Sequence, residues 1–213
     1  MPLIIGVDES GKGDFFGPLV VAALLAPDER IPDLVKLGVR DSKKLTDKRM
    51  AQIDTELRNQ YPSSLYVLLP TDYNQLYLKI RNLNILLAKG HARVIHDLAL
   101  SHPADLAISD KFGKTELIEK ELALLGCEIQ LRQEVRGEAI PQVAAASILA
   151  RARFVSEMHK LSEAAGLELP KGAGDVVDRA GRALVMRYGK QVLEQYAKIH
   201  FKNYQRANQL KLL

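Results

Sequence analysis

The chain has 213 residues, of which 47% are hydrophobic, and such a chain can bury a sizeable core, which excludes a mainly disordered protein. Lys and Arg number 30 against 26 Asp and Glu, and the formal net charge of +4 permits a polyanionic partner without requiring one. The single cysteine, Cys127, excludes an intramolecular disulfide, and no apolar run reaches the roughly eighteen residues of a membrane span. We therefore expect a cytoplasmic protein that does not bind membranes.

In chain order, five β-rich runs predict strands, at residues 3–7, 19–25, 65–69, 106–109 and 128–131. Apolar residues at helical spacing predict helices over residues 84–100, 114–125, 141–161, 175–188 and 190–198. Strands dominate the first third and helices the last, which favours a mixed sheet flanked by helices over a regular alternation of strands and helices. The loop 166–174 predicts a division into a core of residues 1–165 and a helical, basic segment of residues 166–213 packed on the same domain.

Carboxylates follow two of the predicted strands. Asp8 and Glu9 come directly after the first strand, and Asp110 directly follows the fourth. If these strands are neighbours, the three carboxylates meet at one sheet edge, where oxygen ligands of this kind suit Mg²⁺ or Mn²⁺. Such a site would support phosphoryl transfer, although an Asp-Glu pair at a strand end is by itself more commonly a solvated turn.

A glycine-rich stretch, residues 10–18, separates the first two predicted strands. Its spacing satisfies a P-loop up to Lys12, but Gly13 stands where that motif needs Ser or Thr, and an apolar strand follows instead of a helix. The glycines either let the backbone approach a ligand closely or form a tight hairpin.

Residues 6–18, GVDESGKGDFFGP, resemble the N-terminal signature of the type 2 ribonuclease H family, particularly its ribonuclease HIII branch. Residues 40–46, 143–151, 169–173 and 200–203 are similar to further motifs of that family in the same order. The resemblance implies the ribonuclease H-like α/β fold, a mixed five-stranded sheet flanked by helices with a helical C-terminal segment. It also implies an endonuclease that hydrolyses the RNA strand of RNA/DNA hybrids with Mg²⁺ or Mn²⁺, leaving 5′-phosphate and 3′-hydroxyl ends.

The resemblance also assigns candidate site residues. Four acids bind metal in the family, and Asp8, Glu9 and Asp110 match the first three. The fourth lies shortly before the alanine-rich helix, where Glu138 is our choice and Glu134 the fallback. For substrate binding, the resemblance implies a turn that reads the ribose 2′-hydroxyl and a basic pair that contacts phosphates, namely Gly11, Lys12, Gly13, Lys43 and Lys44.

The branch of the family decides the substrate. Ribonuclease HIII chains usually carry an additional N-terminal substrate-binding domain, whereas here the signature starts within the first ten residues. We expect either an HIII-like enzyme without that domain or an HII-type enzyme that incises at single embedded ribonucleotides. A hybrid-binding module without catalysis is the alternative from another functional class.

The excess of basic residues lies in the C-terminal third of the chain. Residues 1–150 carry a net charge of −2 and residues 151–213 one of +6, so we expect Lys171, Lys198 and Lys202 to support hybrid binding. We assign no catalytic role to His91 or Ser147, because a lone histidine on a helix and a serine in an alanine-rich helix most commonly serve packing. We expect a monomer.

Overall fold

A computed structural model describes residues 2–39 and 45–209 and contains a mixed five-stranded sheet of order β3-β2-β1-β4-β5. Strand β1 is antiparallel to β2 and parallel to β4, which is in turn parallel to β5. The strands are β1 (Leu3–Ser10), β2 (Leu19–Pro27), β3 (Ser63–Leu68), β4 (Leu106–Asp110) and β5 (Gln130–Glu134). The predicted α/β class with a five-stranded mixed sheet is confirmed.

Helices occupy most of the remaining described chain. They are α1 (Ile31–Leu37), α2 (Asp47–Gln60), α3 (Pro70–Ile80), α4 (Leu83–Ser101), α5 (Thr115–Leu124), α6 (Pro141–Ala165), α7 (Asp175–Tyr188), α8 (Leu193–Tyr196) and α9 (Lys202–Asn208). Helix α4 begins at a side-chain cap, since the Asn82 amide oxygen accepts hydrogen bonds from the amides of Asn84 and Ile85. In the described part of the chain, no helix is both long and apolar enough to cross a bilayer.

Helix α3 shows why some helices escape the sequence patterns. Strand β3 ends at Leu68, and Pro70 occupies the first turn of α3, where its missing N–H needs no partner and its fixed φ suits a helix. The C-terminal prediction over residues 190–198 was wrong in part. A 3-10 turn and the single turn of α8 end at Tyr196, after which Ala197 is extended and pairs with Phe16 in an isolated bridge. Tertiary pairing therefore overrides helical spacing here.

The two faces of β1 pack against different helices. Ile5 and Val7 join a buried cluster with Ala88, Val94 and Ile95 of α4, and each fully buried side chain of this size contributes roughly 1.5–3 kcal/mol. On the opposite face, Ile4 packs with Val143 at the start of α6. Because successive strand residues point to opposite faces, odd-numbered residues of β1 face α4 and even-numbered residues face α6.

Gly6 allows α6 to approach β1 closely. A Cβ atom at this position would lie 2.1 Å from the carbonyl carbon of Gln142 in the first turn of α6, so no larger residue fits without moving the helix. The start of α6 is thereby set against β1, two residues before Asp8 in the strand.

The chain divides into two compact units that are each built from separate stretches of sequence. The sheet unit comprises Met1–Ser10, Val20–Tyr66 and Asn82–Arg153, and the loop-helix unit comprises Gly11–Leu19, Val67–Arg81 and Phe154–Leu213. The loop-helix unit gathers the glycine-rich stretch with the C-terminal helices, so chain order alone does not define it. The boundary expected at residue 165 stays a prediction.

Candidate active site

Strand β1 carries Asp8 and Glu9 within the ladder, because the strand extends to Ser10 and does not stop at Val7 as expected. Its neighbour is β4, and Val7 pairs with Ser109 in parallel register, so Asp8 and Asp110 are the next residues along the two strands. The expected adjacency of the acid-bearing strands is therefore present. Strand alternation, however, directs Asp8 and Glu9 to opposite faces of the sheet.

Asp8 lies on the face that packs against α6. Its carboxylate hydrogen bonds to the side chain of Ser147 on that helix, so Ser147 has a polar contact as well as the packing role expected for it. Burial and the negative charge of Glu9, with a smaller contribution from Asp110, raise the pKa of Asp8 to about 7. The fold therefore holds these acids together at a cost in folding free energy, and a bound cation would offset this cost.

Asp110 is held by the turn that precedes α6. The Gly137 amide donates a 2.8 Å hydrogen bond to Asp110 Oδ1. Arg136 adopts a left-handed φ of 59°, and a Cβ on Gly137 would lie 3.0 Å from Asp110 Cα, so both the turn and the glycine are needed for this approach. The short 3-10 helix Gly137–Ala139 thereby places Glu138 one residue beyond the amide that binds Asp110.

Glu134 is the fallback candidate for the fourth acid. It pairs in register with Asp110 at the end of β5, but its Oε1 lies 2.8 Å from Nε of Arg132 in a largely exposed ion pair. The choice of Glu138 over Glu134 as the fourth acid stays a prediction.

Glu9 lies on the face that packs against α4. Its side chain is only 2% exposed, and its Oε2 lies 3.1 Å from Nε2 of His91, which is itself fully buried. The other ring nitrogen of His91 lies 3.0 Å from the Ser109 hydroxyl. His91 therefore contacts the residue next to Asp8 on β1 and the residue next to Asp110 on β4.

The donor set suits a hard divalent cation. Within residues 2–39 and 45–209, no three His, Cys, Asp or Glu side chains stand together as a complete ligand set. Mg²⁺ is commonly held by one or two carboxylates together with waters and substrate phosphates, so a complete protein cage is not required. Asp8 and Asp110 supply such a pair on one face, and burial together with the negative charges of Glu9 and Asp110 raises the pKa of Asp8, so a cation there would be stabilising.

The glycine-rich stretch belongs to the loop-helix unit. Gly11 has a φ of +90°, and a Cβ there would lie 2.2 Å from the carbonyl oxygen of Pro18, so the tight turn requires glycine. Lys12 and Gly13 are exposed at its tip. The stretch leads into β2, and the absence of a following helix argues against a P-loop, as expected from the sequence.

The C-terminal segment fixes the other end of this turn. The Gly172 amide donates a 2.6 Å hydrogen bond to Asp14 Oδ1, and the Phe15 amide donates to the Gly172 carbonyl oxygen. Lys198 Nζ donates to the backbone carbonyl oxygens of Asp14 and Gly17 at 2.8 and 2.7 Å. Lys198 is fully buried, so the expectation that it contacts substrate was wrong.

The remaining basic residues of the sequence analysis divide into two groups. Lys171 and Lys202 are exposed, as phosphate contacts require. Lys43 and Lys44, the expected phosphate-binding pair, lie outside the described residues.

His91 is the residue that sequence reasoning missed. The helical spacing places it within the apolar stripe of α4, and a polar side chain on a buried face needs a hydrogen-bonding partner. That requirement was a usable signal, but the identity of the partners depends on which strands the helix covers.

Comparison with known proteins gives the family. A family model described as ribonuclease HII matches residues 5–204. Curated proteins named ribonuclease HIII from Chlamydia pneumoniae and Chlamydia caviae are 45% and 42% identical over 94% of this chain and 68% of their own length. The solved structure of Bst-RNase HIII in complex with Mn²⁺ matches 97% of this chain and 69% of its own, at 36% identity and a TM-score of 0.90. The chain belongs to the type 2 ribonuclease H family, the endonucleases that hydrolyse the RNA strand of RNA/DNA hybrids, and it is most like the ribonuclease HIII branch.

Proposed function

We propose that this ribonuclease H binds Mg²⁺ or Mn²⁺ through Asp8, Glu9, Asp110 and Glu138 and thereby cleaves the RNA strand of hybrids to 5′-phosphate and 3′-hydroxyl ends. The observation that carries the proposal is the adjacency of the acid-bearing strands β1 and β4, where burial, the charge of Glu9 and, to a smaller extent, that of Asp110 raise the pKa of Asp8 to about 7. A fold that concentrates negative charge at one sheet edge favours a divalent cation there.

The chain's own residues prepare this site. When bound, the ions supply activation of water and stabilisation of charge at the scissile phosphate. The Ser147 side chain and the Gly137 amide bond to the carboxylates of Asp8 and Asp110, which orients both acids before any ligand arrives. The turn at Arg136 and Gly137 brings Glu138 to the same end of β4.

Substrate recognition is assigned to the glycine turn and to lysines. Gly11, Lys12 and Gly13 would read the ribose 2′-hydroxyl through backbone groups, because glycine permits a close approach to the sugar. Lys43 and Lys44 would contact substrate phosphates. The exposure of Lys12 and Gly13 at the tip of the turn supports this role.

Cleavage of a labelled RNA/DNA hybrid tests the proposal directly. We expect cleavage that requires Mg²⁺ or Mn²⁺, stops in EDTA, and is lost in Asp8→Asn, a near-isosteric change that removes one ligand charge. Undiminished cleavage by Asp8→Asn would reject the assigned site. Tight, salt-sensitive hybrid binding by the intact chain without any turnover would instead support the non-catalytic module.

A second substrate comparison separates the branches of the family. The relatives named ribonuclease HIII favour the HIII branch. The resemblance to that branch implies a preference for longer RNA stretches over a single ribonucleotide. We expect an all-RNA/DNA hybrid to be cleaved much faster than a DNA duplex that contains one ribonucleotide. Efficient incision at the single ribonucleotide would assign the HII-type activity to this chain.

The cellular setting is also part of the proposal. We propose a monomer that acts in the cytoplasm. A chain with one cysteine forms no intramolecular disulfide, so its folding does not depend on an oxidising compartment. Light scattering of the purified chain checks the oligomeric state, and a dimeric mass would contradict it. Cell fractionation checks the location.

A further inference from the structure

His91 lies where α4 covers β1 and β4 within the sheet unit. It is fully buried, its ring packs against Phe112 with centroids 4.7 Å apart, and both of its nitrogens have polar neighbours. Nε2 faces Glu9 Oε2 at 3.1 Å, and Nδ1 faces Ser109 Oγ at 3.0 Å. Apolar packing alone would be served better by leucine, so a histidine with two polar contacts indicates a further role.

The direction of the hydrogen bonds follows from the chemistry of the partners. An ionised Glu9 carboxylate can only accept, so the proton must lie on Nε2 of His91. The tautomer with its proton on Nδ1 would turn a lone pair towards the carboxylate and is disfavoured. Both the other neutral tautomer and the imidazolium donate from Nε2 to Glu9, and the donor is therefore present in either protonation state.

Ser109 holds the opposite side of the ring. Its hydroxyl lies within hydrogen-bond distance of His91 Nδ1 and also 2.9 Å from the carbonyl oxygen of Asp110. Ser109 is fully buried on β4, on the face opposite Asp110. Through these contacts the His91 ring connects β1 and β4, the two strands that carry Asp8, Glu9 and Asp110.

We propose that His91 is the positioning residue of Glu9: its Nε2–H holds one carboxylate oxygen at the α4 face and sets the placement of Glu9 relative to Asp8, while Ser109 fixes the ring. This inference rests on the proposed metal site. Without this donor, the negative charge of Asp8 would repel Glu9 and broaden the range of positions that Glu9 occupies. Hydrogen-bonding partners behind a metal ligand commonly change metal affinity by about 10–100-fold when removed.

Two amide substitutions separate positioning from packing. In His91→Gln the side-chain amide nitrogen reaches the place of Nε2 and can still donate to Glu9, whereas in His91→Asn the shorter amide reaches only the place of Nδ1. Both variants are polar and smaller than histidine or similar to it in size, so they make a matched pair. Thermal unfolding in EDTA reports the stability of each variant without metal.

Calorimetric titration of each folded variant with Mn²⁺, in the absence of nucleic acid, is the main measurement. We expect His91→Asn to weaken Mn²⁺ binding by about 10–100-fold and His91→Gln to retain most of the affinity. With the hybrid substrate, kcat at a fixed subsaturating Mg²⁺ concentration falls in His91→Asn, while KM for the hybrid stays unchanged. Equal Mn²⁺ affinity in both variants and the unsubstituted chain would overturn the inference.

Ser109→Ala keeps the test decisive if substitutions at His91 prevent folding. This variant removes only a hydroxyl and leaves the His91 ring in place, so we expect a several-fold weakening of Mn²⁺ binding. Unchanged affinity in folded Ser109→Ala would contradict the role of Ser109 as the support of the ring. If the unsubstituted chain itself neither binds Mn²⁺ nor cleaves hybrid, the proposed function fails. If it does both and the variants match it, only the role of His91 fails.

Discussion

Burial disfavours the charged form of Asp8 in one compact unit and of Lys198 in the other, but the neighbours of the two groups differ. In the sheet unit, burial and the repulsion from Glu9, with a smaller contribution from Asp110, raise the pKa of Asp8 to about 7. In the loop-helix unit, Lys198 is fully buried, but its Nζ donates to two carbonyl oxygens and lies 5.6 Å from the centre of the Tyr73 ring. The lysine is satisfied inside its own unit, whereas the acids keep a net repulsion. The difference indicates that the acids serve a ligand and the buried lysine serves the fold.

The largest expected effect separates the two candidates for the fourth acid. We expect Glu138→Gln to reduce cleavage by about 100-fold or more, because several kcal/mol of transition-state stabilisation depend on the metal ligands. Glu134→Gln is the matched control, since its carboxylate pairs with Arg132, and we expect cleavage within about threefold of the unsubstituted chain. Initial rates on the same hybrid measure both variants. The reverse order of effects would reassign the site to Glu134.

Lys198→Met tests whether the buried lysine stabilises the fold. The substitution leaves the carbonyl oxygens of Asp14 and Gly17 without their donor, and we expect the free energy of unfolding to fall by about 2 kcal/mol. Urea unfolding at pH 8 measures the change. An unchanged free energy of unfolding would show that the lysine does not hold the turn.

The difference in unfolding free energy between the unsubstituted chain and Lys198→Met depends on pH. Burial lowers the pKa of Lys198 from 10.5 to about 7, so between these values the unfolded chain binds more protons than the folded chain, and folding is favoured as pH rises. The stability advantage of the unsubstituted chain over Lys198→Met is therefore smallest below pH 7 and grows up to pH 10.5. Unfolding curves at pH 6, 8 and 9.5 check this slope. A constant or shrinking advantage would contradict it.

Asp8→Asn tests whether the negative charge of Asp8 destabilises the metal-free fold. Removing the negative charge abolishes the cost of burying it and relieves the repulsion from Glu9 and Asp110, so we expect the metal-free variant to be more stable than the unsubstituted chain at pH 8, by about 1 kcal/mol or more. Thermal unfolding in EDTA measures the difference. Lower stability of the variant would show that the carboxylate of Asp8 stabilises the fold.

The smallest effect concerns the exposed lysines. We expect the double substitution Lys171→Gln and Lys202→Gln to weaken hybrid binding severalfold. We also expect the slope of log affinity against log salt concentration to fall by about one for each lysine that contacts a phosphate. Binding is measured in EDTA at several salt concentrations, and Mn²⁺ affinity serves as the control for the metal site. Lys36→Gln, on the exposed side of α1, removes one positive charge and is the control for each single substitution, Lys171→Gln or Lys202→Gln. A similar loss from Lys36→Gln would indicate a general effect of net charge.

The sequence by itself determined the sheet class and the local chemistry. Alternation and β-branched runs predict five strands, and α7 begins and ends where its spacing and Gly189 predict. The glycine turn, the acids and their family resemblance depend on residue type and order, which are written locally in the chain. Helices such as α3 were missed because Pro70 predicts the end of a strand and also starts a helix.

Only the tertiary structure decided what the acids contact. The length of β1 depends on pairing with β2, and this pairing places Asp8 and Glu9 inside the ladder, on opposite faces of the sheet. His91, Ser147 and Gly137 are distant from those acids in sequence and meet their neighbours only when α4, α6 and the preceding turn pack on the sheet. The same holds for Lys198. Its charge predicts a surface role, but in the folded chain its Nζ donates to two carbonyl oxygens of the glycine-rich stretch. Residue type sets which partners a side chain needs, and long-range packing selects which of them it finds.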